Sequence, residues 1–106
     1  MIPTILHDRT AIATYLRQDL LVHLYELGDL DDFFWPYTTW YASLKLGEIE
    51  RLALLYTGSE LPILLATATG DDRPTQNLLQ TLLPFLPRRF YAHLPAGMDF
   101  SFLSEE

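Results

Sequence analysis

The sequence predicts one α+β domain with a mixed sheet, in the element order β-α-α-β-β-β-α-β. Three observations support this fold class. Apolar residues repeat at helical spacing in three short segments. Runs rich in β-prone or continuously apolar residues lie before, between and after those segments. The length of 106 residues leaves room for one hydrophobic core, so we expect residues 1–106 to form a single domain.

The first third of the chain predicts a strand and two helices. Residues 1–6 are short and apolar and suit a strand. Asp8 is placed to accept hydrogen bonds from the first free amides of a helix, and Asp19 is placed to do the same for a second helix. Gly28 suits the left-handed position that ends this second helix.

The middle of the chain predicts three strands in a meander. From Thr38 the residues favour extended backbone, and the segment around Gly47 is typical of a hairpin turn. Residues 50–57 then return as a strand. Residues 63–69 form a continuous apolar and β-prone run, which is typical of a strand buried on both faces.

The last third predicts a helix, a strand and a tail. Pro74 suits the first turn of a helix that Pro84 stops, and residues 90–94 form the last predicted strand. In the tail, residues 97–106, apolar and polar residues alternate. This alternation suits one more edge strand or a contact with a second chain, and a tail resting on its own core is equally compatible with it.

The charge balance and composition exclude several classes of function. The chain has 14 acidic and 7 basic residues, a formal net charge of −7, and no stripe of basic residues, so nucleic acid is not expected as a partner. Without cysteine there are no disulfides and no thiolate metal sites. No uncharged run approaches the length of a membrane span, and the N-terminus does not resemble a signal peptide. We therefore predict a cytoplasmic protein without membrane contact.

Clustered carboxylates form one candidate binding feature. Glu26, Asp29, Asp31 and Asp32 could attract an amine or a basic peptide, and a solvated turn explains the same composition. His23 lies three residues before Glu26 and shares a helix face with it, but a second histidine ligand is missing nearby. We therefore predict no metal site.

Aromatic residues are concentrated before and within the predicted meander. Six of them fall within nine positions: Phe33, Phe34, Trp35, Tyr37, Trp40 and Tyr41. One strand face cannot bury this many rings, so some should line a groove or an interface. Trp35, Tyr37, Trp40, Glu26 and Asp29 are the candidate substrate or interface residues.

Two segments resemble the GNAT family of N-acetyltransferases. Residues 25–41, YELGDLDDFFWPYTTWY, and residues 88–95, RRFYAHLP, look like parts of a GNAT group in which a degenerate N-terminal unit precedes a complete catalytic one. The resemblance implies a GNAT-like domain that lacks the C-terminal part of the fold. It also implies that acetyl-CoA is the family's cofactor, bound between the strands at 63–69 and 90–94.

In that family the cofactor's pyrophosphate is held by main-chain amides of a loop of the pattern Q/R-x-x-G-x-G/A. The corresponding segment here contains Gly70, Asp71, Asp72 and Arg73, and then Pro74. Two carboxylates oppose phosphate, and proline lacks an amide donor, so we expect no tight cofactor binding. Capping of the following helix by the two aspartates is the expectation for this turn.

No catalytic residue is carried over from the family, because the region that supplies part of its chemistry is missing. We expect Tyr91 to be buried in the last strand rather than catalytic. The first functional hypothesis is a non-catalytic GNAT-like domain that acts by self-association, as a homodimer, or by association with a catalytic acetyltransferase domain. The alternative is a minimal N-acetyltransferase that transfers acetyl from acetyl-CoA to a small amine and is active only as an oligomer.

Overall fold

The structure, a computed structural model, describes residues 4–95 and contains five strands and three α-helices in that range. The elements follow in the order β1 (Thr4–Leu6), α1 (Arg9–Leu16), α2 (Leu24–Gly28), β2 (Thr38–Lys45), β3 (Glu48–Tyr56), β4 (Ile63–Leu65), α3 (Arg73–Leu82) and β5 (Tyr91–His93). The predicted α+β class and element order are confirmed. The predictions for residues 1–3 and for the tail at 97–106 lie outside the described residues.

The five strands form one mixed sheet in sequence order, β1-β2-β3-β4-β5. The pairs β1–β2, β2–β3 and β3–β4 are antiparallel, whereas the pair β4–β5 is parallel. In the central pair Trp40 lies opposite Leu54, and in the parallel pair Ile63 lies opposite Tyr91. Because α3 connects β4 to β5, the parallel pair is a crossover unit.

Apolar side chains cover both faces of the sheet, with α1 on one face and α3 on the other. Successive residues of a strand point to opposite faces, so Trp40 packs on the α1 side and Tyr41 on the α3 side. The α1 cluster consists of Ile12, Leu16, Trp40, Ala42, Leu52, Leu54 and Leu65. The α3 cluster consists of Tyr41, Ala53, Leu55, Leu64, Ala66, Leu78, Leu79 and Leu82. This double coverage explains the continuous apolar runs in β3 and β4.

Local signals explain where several elements begin and turn. The Ala11 amide donates to Asp8 Oδ1 over 3.1 Å, so Asp8 is the predicted cap of α1. The β2–β3 hairpin turns through Leu46 and Gly47, whose φ angles are 55° and 81°. Two successive positive φ angles are typical of a type I′ turn, whose twist matches that of the strands.

Four local predictions are wrong. Asp19 lies in a 3₁₀ turn and does not cap α2, which begins at Leu24 after His23. Gly28 lacks the predicted positive φ angle. The predicted strand at 63–69 ends at Leu65, because β5 provides pairing partners only as far as His93. Tyr91 is 63% exposed instead of buried, because β5 is the edge strand of the sheet in the described part of the chain.

Candidate functional site

Four large apolar side chains on α2 and the turn before it are exposed to solvent. Leu20 is 53% exposed, Leu21 87%, Leu24 59% and Tyr25 78%. We name these four residues the α2 apolar surface. Exposed apolar groups concentrated in one short segment are typical of surfaces that bind another molecule.

A groove of about 310 Å³ adjoins this surface, with Tyr25 belonging to both. It combines aromatic rings, aliphatic side chains, an imidazole and a single carboxylate, and its lining consists of Tyr25, Asp29, Phe34, Tyr56, Ile63, Leu65 and His93. We name it the α2 groove. The Phe34 and Tyr56 rings meet edge to face with centroids 6.0 Å apart, and the Tyr25 and His93 rings lie 6.5 Å apart. The groove therefore offers π-faces together with one negative charge.

Three polar side chains hold α2 against the segment that follows β4. His23 and Glu26 are 5% and 4% exposed. The Thr67 hydroxyl lies 3.1 Å from the Val22 carbonyl oxygen and 3.2 Å from His23 Nδ1, and it donates to Glu26 Oε2. His23 Nδ1 is 3.3 Å from the same carboxylate oxygen. This network fixes the orientation of α2 and therefore positions the side chains on its outer face.

The network leaves its carboxylate only partly satisfied. Glu26 Oε1 is buried and has no hydrogen-bond partner among residues 4–95. Asp29 lies one turn further along the chain, half-buried in the groove lining, and makes no side-chain hydrogen bond or ion pair within the same range. Burial raises the pKa of the Asp29 carboxyl, and the nearby Glu26 charge raises this pKa further. A cation beside Asp29 would therefore meet an uncompensated negative charge.

The turn before α3 carries the predicted degenerate loop. Gly70 has a φ of 87°, and Asp71 Oδ1 accepts the Arg73 amide over 3.0 Å. The Arg73 guanidinium also donates to the Asp71 carboxylate, and these hydrogen bonds lower the pKa of Asp71 to about 2. Asp71 therefore caps α3 as expected, whereas Asp72 precedes the helix without a side-chain capping bond.

Arg51 holds the same turn from the neighbouring strand β3. Its guanidinium donates to the Asp71 carbonyl over 3.1 Å and to the Thr69 carbonyl over 3.5 Å. It also lines a second cavity of about 550 Å³ together with Tyr15, whose hydroxyl donates to the Glu50 carbonyl. Burial raises the pKa of Tyr15, and Arg51 opposes that shift. Arg51 and Tyr15 are therefore held in place by main-chain carbonyls beside this cavity.

The structure separates the predicted aromatic candidates. Trp40 is 1% exposed and belongs to the α1 cluster, so its side chain is part of the core. Trp35 is half-buried in a 3₁₀ turn and stacks on Trp40, and the Arg9 guanidinium carbon lies 4.4 Å from its ring centroid. Tyr37 is 49% exposed and meets Tyr56 edge to face. None of these three residues lines the α2 groove.

The two acidic candidates, Asp29 and Glu26, also differ in exposure. Asp29 lies in the groove lining as a reachable carboxylate, whereas Glu26 is buried behind it. Tyr25, Tyr56 and His93 line the groove but were not predicted as site residues, because they come from three different elements. Within the described range, no group of three or more histidine, cysteine or acidic side chains is arranged to hold a metal ion. No helix of residues 4–95 is both long and apolar enough to cross a bilayer.

Comparison with known proteins adds no family assignment, since no family model, no curated protein and no solved structure matches this chain.

Proposed function

We propose that this chain is a GNAT-like domain that acts by association, either with a second copy or with a catalytic acetyltransferase domain, and that it does not itself transfer acetyl groups. The observation that carries the proposal is the α2 apolar surface. Burial of exposed apolar area gains about 25 cal/mol per Å², so a partner that covers these side chains is stabilised on the domain. The network beneath them keeps the surface in one orientation.

The element order and the sheet support the GNAT-like part of the proposal. The β-α-α-β-β-β-α-β order and the parallel β4–β5 pair agree with the N-terminal part of that fold as the resemblance implies it. The two resembling sequence segments include Tyr25 to Phe34 beside the groove and the whole of β5.

The turn before α3 supports the non-catalytic part. The Arg73 amide is already bonded to Asp71, and Pro74 has no amide hydrogen to donate. The carbonyls of Thr69 and Asp71 are held by Arg51. A diphosphate at this turn would meet the ionised Asp71 carboxylate and find few free amide donors.

The alternative, a minimal N-acetyltransferase for a small amine, is favoured by one observation. Asp29 lies at an aromatic groove, which is a setting that suits a small organic cation. Calorimetric titration with acetyl-CoA separates the two candidates, because an acetyltransferase must bind its donor. Saturable heat with a dissociation constant in the micromolar range would favour the enzyme and contradict the non-catalytic proposal.

Sedimentation velocity tests the association directly. The wild-type chain is run alone over a wide concentration range, and in an equimolar mixture with a catalytic acetyltransferase domain of the GNAT family. We expect a faster-sedimenting species in at least one of these experiments, and we expect Leu21→Gln to weaken it. Phe85→Gln is the matched control, because Phe85 is 51% exposed in the turn after α3, on the face of the sheet opposite to α1 and α2. Monomers throughout would contradict the proposal.

A further inference from the structure

We infer that the α2 groove binds an arginine side chain of a basic protein partner. This inference rests on the association proposed above and specifies the chemistry of the partner. The groove, its single carboxylate and the acidic surroundings of the α2 apolar surface each point to this occupant.

The composition of the groove matches the two parts of an arginine side chain. The Tyr25, Phe34 and Tyr56 rings and the aliphatic side chains can cover the three methylene groups. A planar guanidinium stacks on aromatic faces and is more weakly hydrated than an ammonium. Its transfer from water into a partly buried groove therefore costs less hydration free energy. Asp29 can accept two parallel hydrogen bonds from such a group.

The Asp29 carboxylate in the groove favours a cation and is not neutralised by any residue of the range 4–95. The groove lining contains no lysine or arginine, and Asp29 has no ion-pair partner among residues 4–95. The buried Glu26 carboxylate adds a second negative charge behind Asp29. A guanidinium placed at Asp29 would interact favourably with both carboxylates.

The same charges favour a different protein over a second copy of this chain. Residues 18–34 carry five carboxylates and no lysine or arginine; one of the five, Asp32, forms an ion pair with Arg9, and the whole chain has a net charge of −7. Two copies that met through the α2 apolar surface would bring these like charges together, which opposes association. A partner with an apolar patch surrounded by basic residues is complementary in both respects.

The test uses short amphipathic helical peptides with a leucine face and one central arginine, together with peptides that carry citrulline or lysine at that position. Citrulline keeps the shape of arginine but lacks its charge. Binding to the full chain is followed by fluorescence anisotropy, and the site is located by NMR shifts of Tyr25, Asp29 and Tyr56. We expect the arginine peptide to bind about tenfold more tightly than the citrulline peptide, with lysine between them.

Two matched variants test whether the Asp29 carboxylate is responsible for the preference for arginine over citrulline. In Asp29→Asn the arginine and citrulline peptides should bind equally, whereas Asp31→Asn, an exposed position outside the groove lining, should keep most of the tenfold difference. Circular dichroism spectra confirm that both variants are folded. A difference that survives in Asp29→Asn would overturn the inference.

The remaining outcomes separate this inference from the proposed function. Equal binding of the arginine and citrulline peptides to the wild type would overturn the arginine inference and leave association intact. A stable homodimer of the free chain that buries the groove would also overturn the inference while supporting association. If arginine amide alone bound as tightly as the peptide, the occupant would be a small guanidinium compound, which contradicts a protein partner.

Discussion

Replacement of Thr67 by valine removes the one hydroxyl that joins α2 to the segment after β4. This hydroxyl contacts the Val22 carbonyl oxygen, His23 Nδ1 and Glu26 Oε2. Valine has nearly the same shape as threonine, so the change leaves no cavity. The effect on stability therefore reports the polar network itself.

The magnitude follows from the groups that lose a partner. A hydrogen bond to a charged group contributes about 1.5 to 3 kcal/mol, and Glu26 already has one buried oxygen without a partner. The added methyl group recovers part of this loss by apolar burial. We expect the free energy of unfolding to fall by about 2 to 3 kcal/mol, which corresponds to a melting temperature about 10 °C lower.

Urea unfolding, followed by the fluorescence of Trp35 and Trp40, measures this change. Thr67→Ser is the matched control, because it keeps the hydroxyl and should lose about 1 kcal/mol or less. In a Glu26→Gln background the cost of Thr67→Val should fall to about 1 kcal/mol, since the acceptor is no longer charged.

Two results would refute the reasoning. One is a Thr67→Val variant within about 0.5 kcal/mol of the wild type, because a buried carboxylate cannot lose its donor at so small a cost. The other is a serine variant that is as unstable as the valine variant, which would assign the effect to methyl packing.

Three further changes test other parts of the structure. Leu46→Asn should raise stability by about 0.5 to 1 kcal/mol in thermal unfolding, because asparagine before Gly47 suits the positive φ angle that leucine tolerates poorly; no gain would contradict the type I′ turn. Asp29→Asn should be more stable than the wild type at pH 7, because folding raises the pKa of Asp29 and the stability that this group contributes is lost as pH rises through that pKa. The difference in stability should vanish below about pH 4. A variant less stable than the wild type at pH 7 would refute this prediction. Carboxyl NMR titration should give Asp71 a pKa of about 2 that returns towards the ordinary range in Arg73→Gln, and the stability from this pair should be lost as pH falls from about 4 towards 2; an unchanged pKa in that variant would contradict the capping pair.

Much of the fold could be predicted because its signals are local. The Asp8 cap, the Gly47 hairpin turn and the helix that begins near Pro74 each depend on a few neighbouring residues. The end of β4 could not be predicted in this way, because it depends on how far a distant strand extends beside it. Asp19 has the right residue type for a cap, but the helix it was expected to cap begins only after His23.

The candidate site shows the same division. The acidic cluster and the surplus of aromatic rings predicted a binding surface, and Asp29 lies at a groove. Trp40 was a candidate on the same grounds and is buried, whereas Tyr91 was expected to be buried and is exposed. Residue type does not distinguish such cases, because exposure is decided by the elements that pack on each face.

The sequence by itself determined the class of fold, the order of its elements and the acidic character of its surface. Each of these features follows from composition or from the spacing of residues within one segment. Composition and spacing do not change when the chain folds. Only the tertiary structure brought Tyr25, Tyr56 and His93 together around Asp29 and placed Glu26 behind it. Burial, hydrogen bonding and the pKa of a carboxyl depend on distances between segments far apart in the chain, and those distances exist only after the sheet and helices have packed.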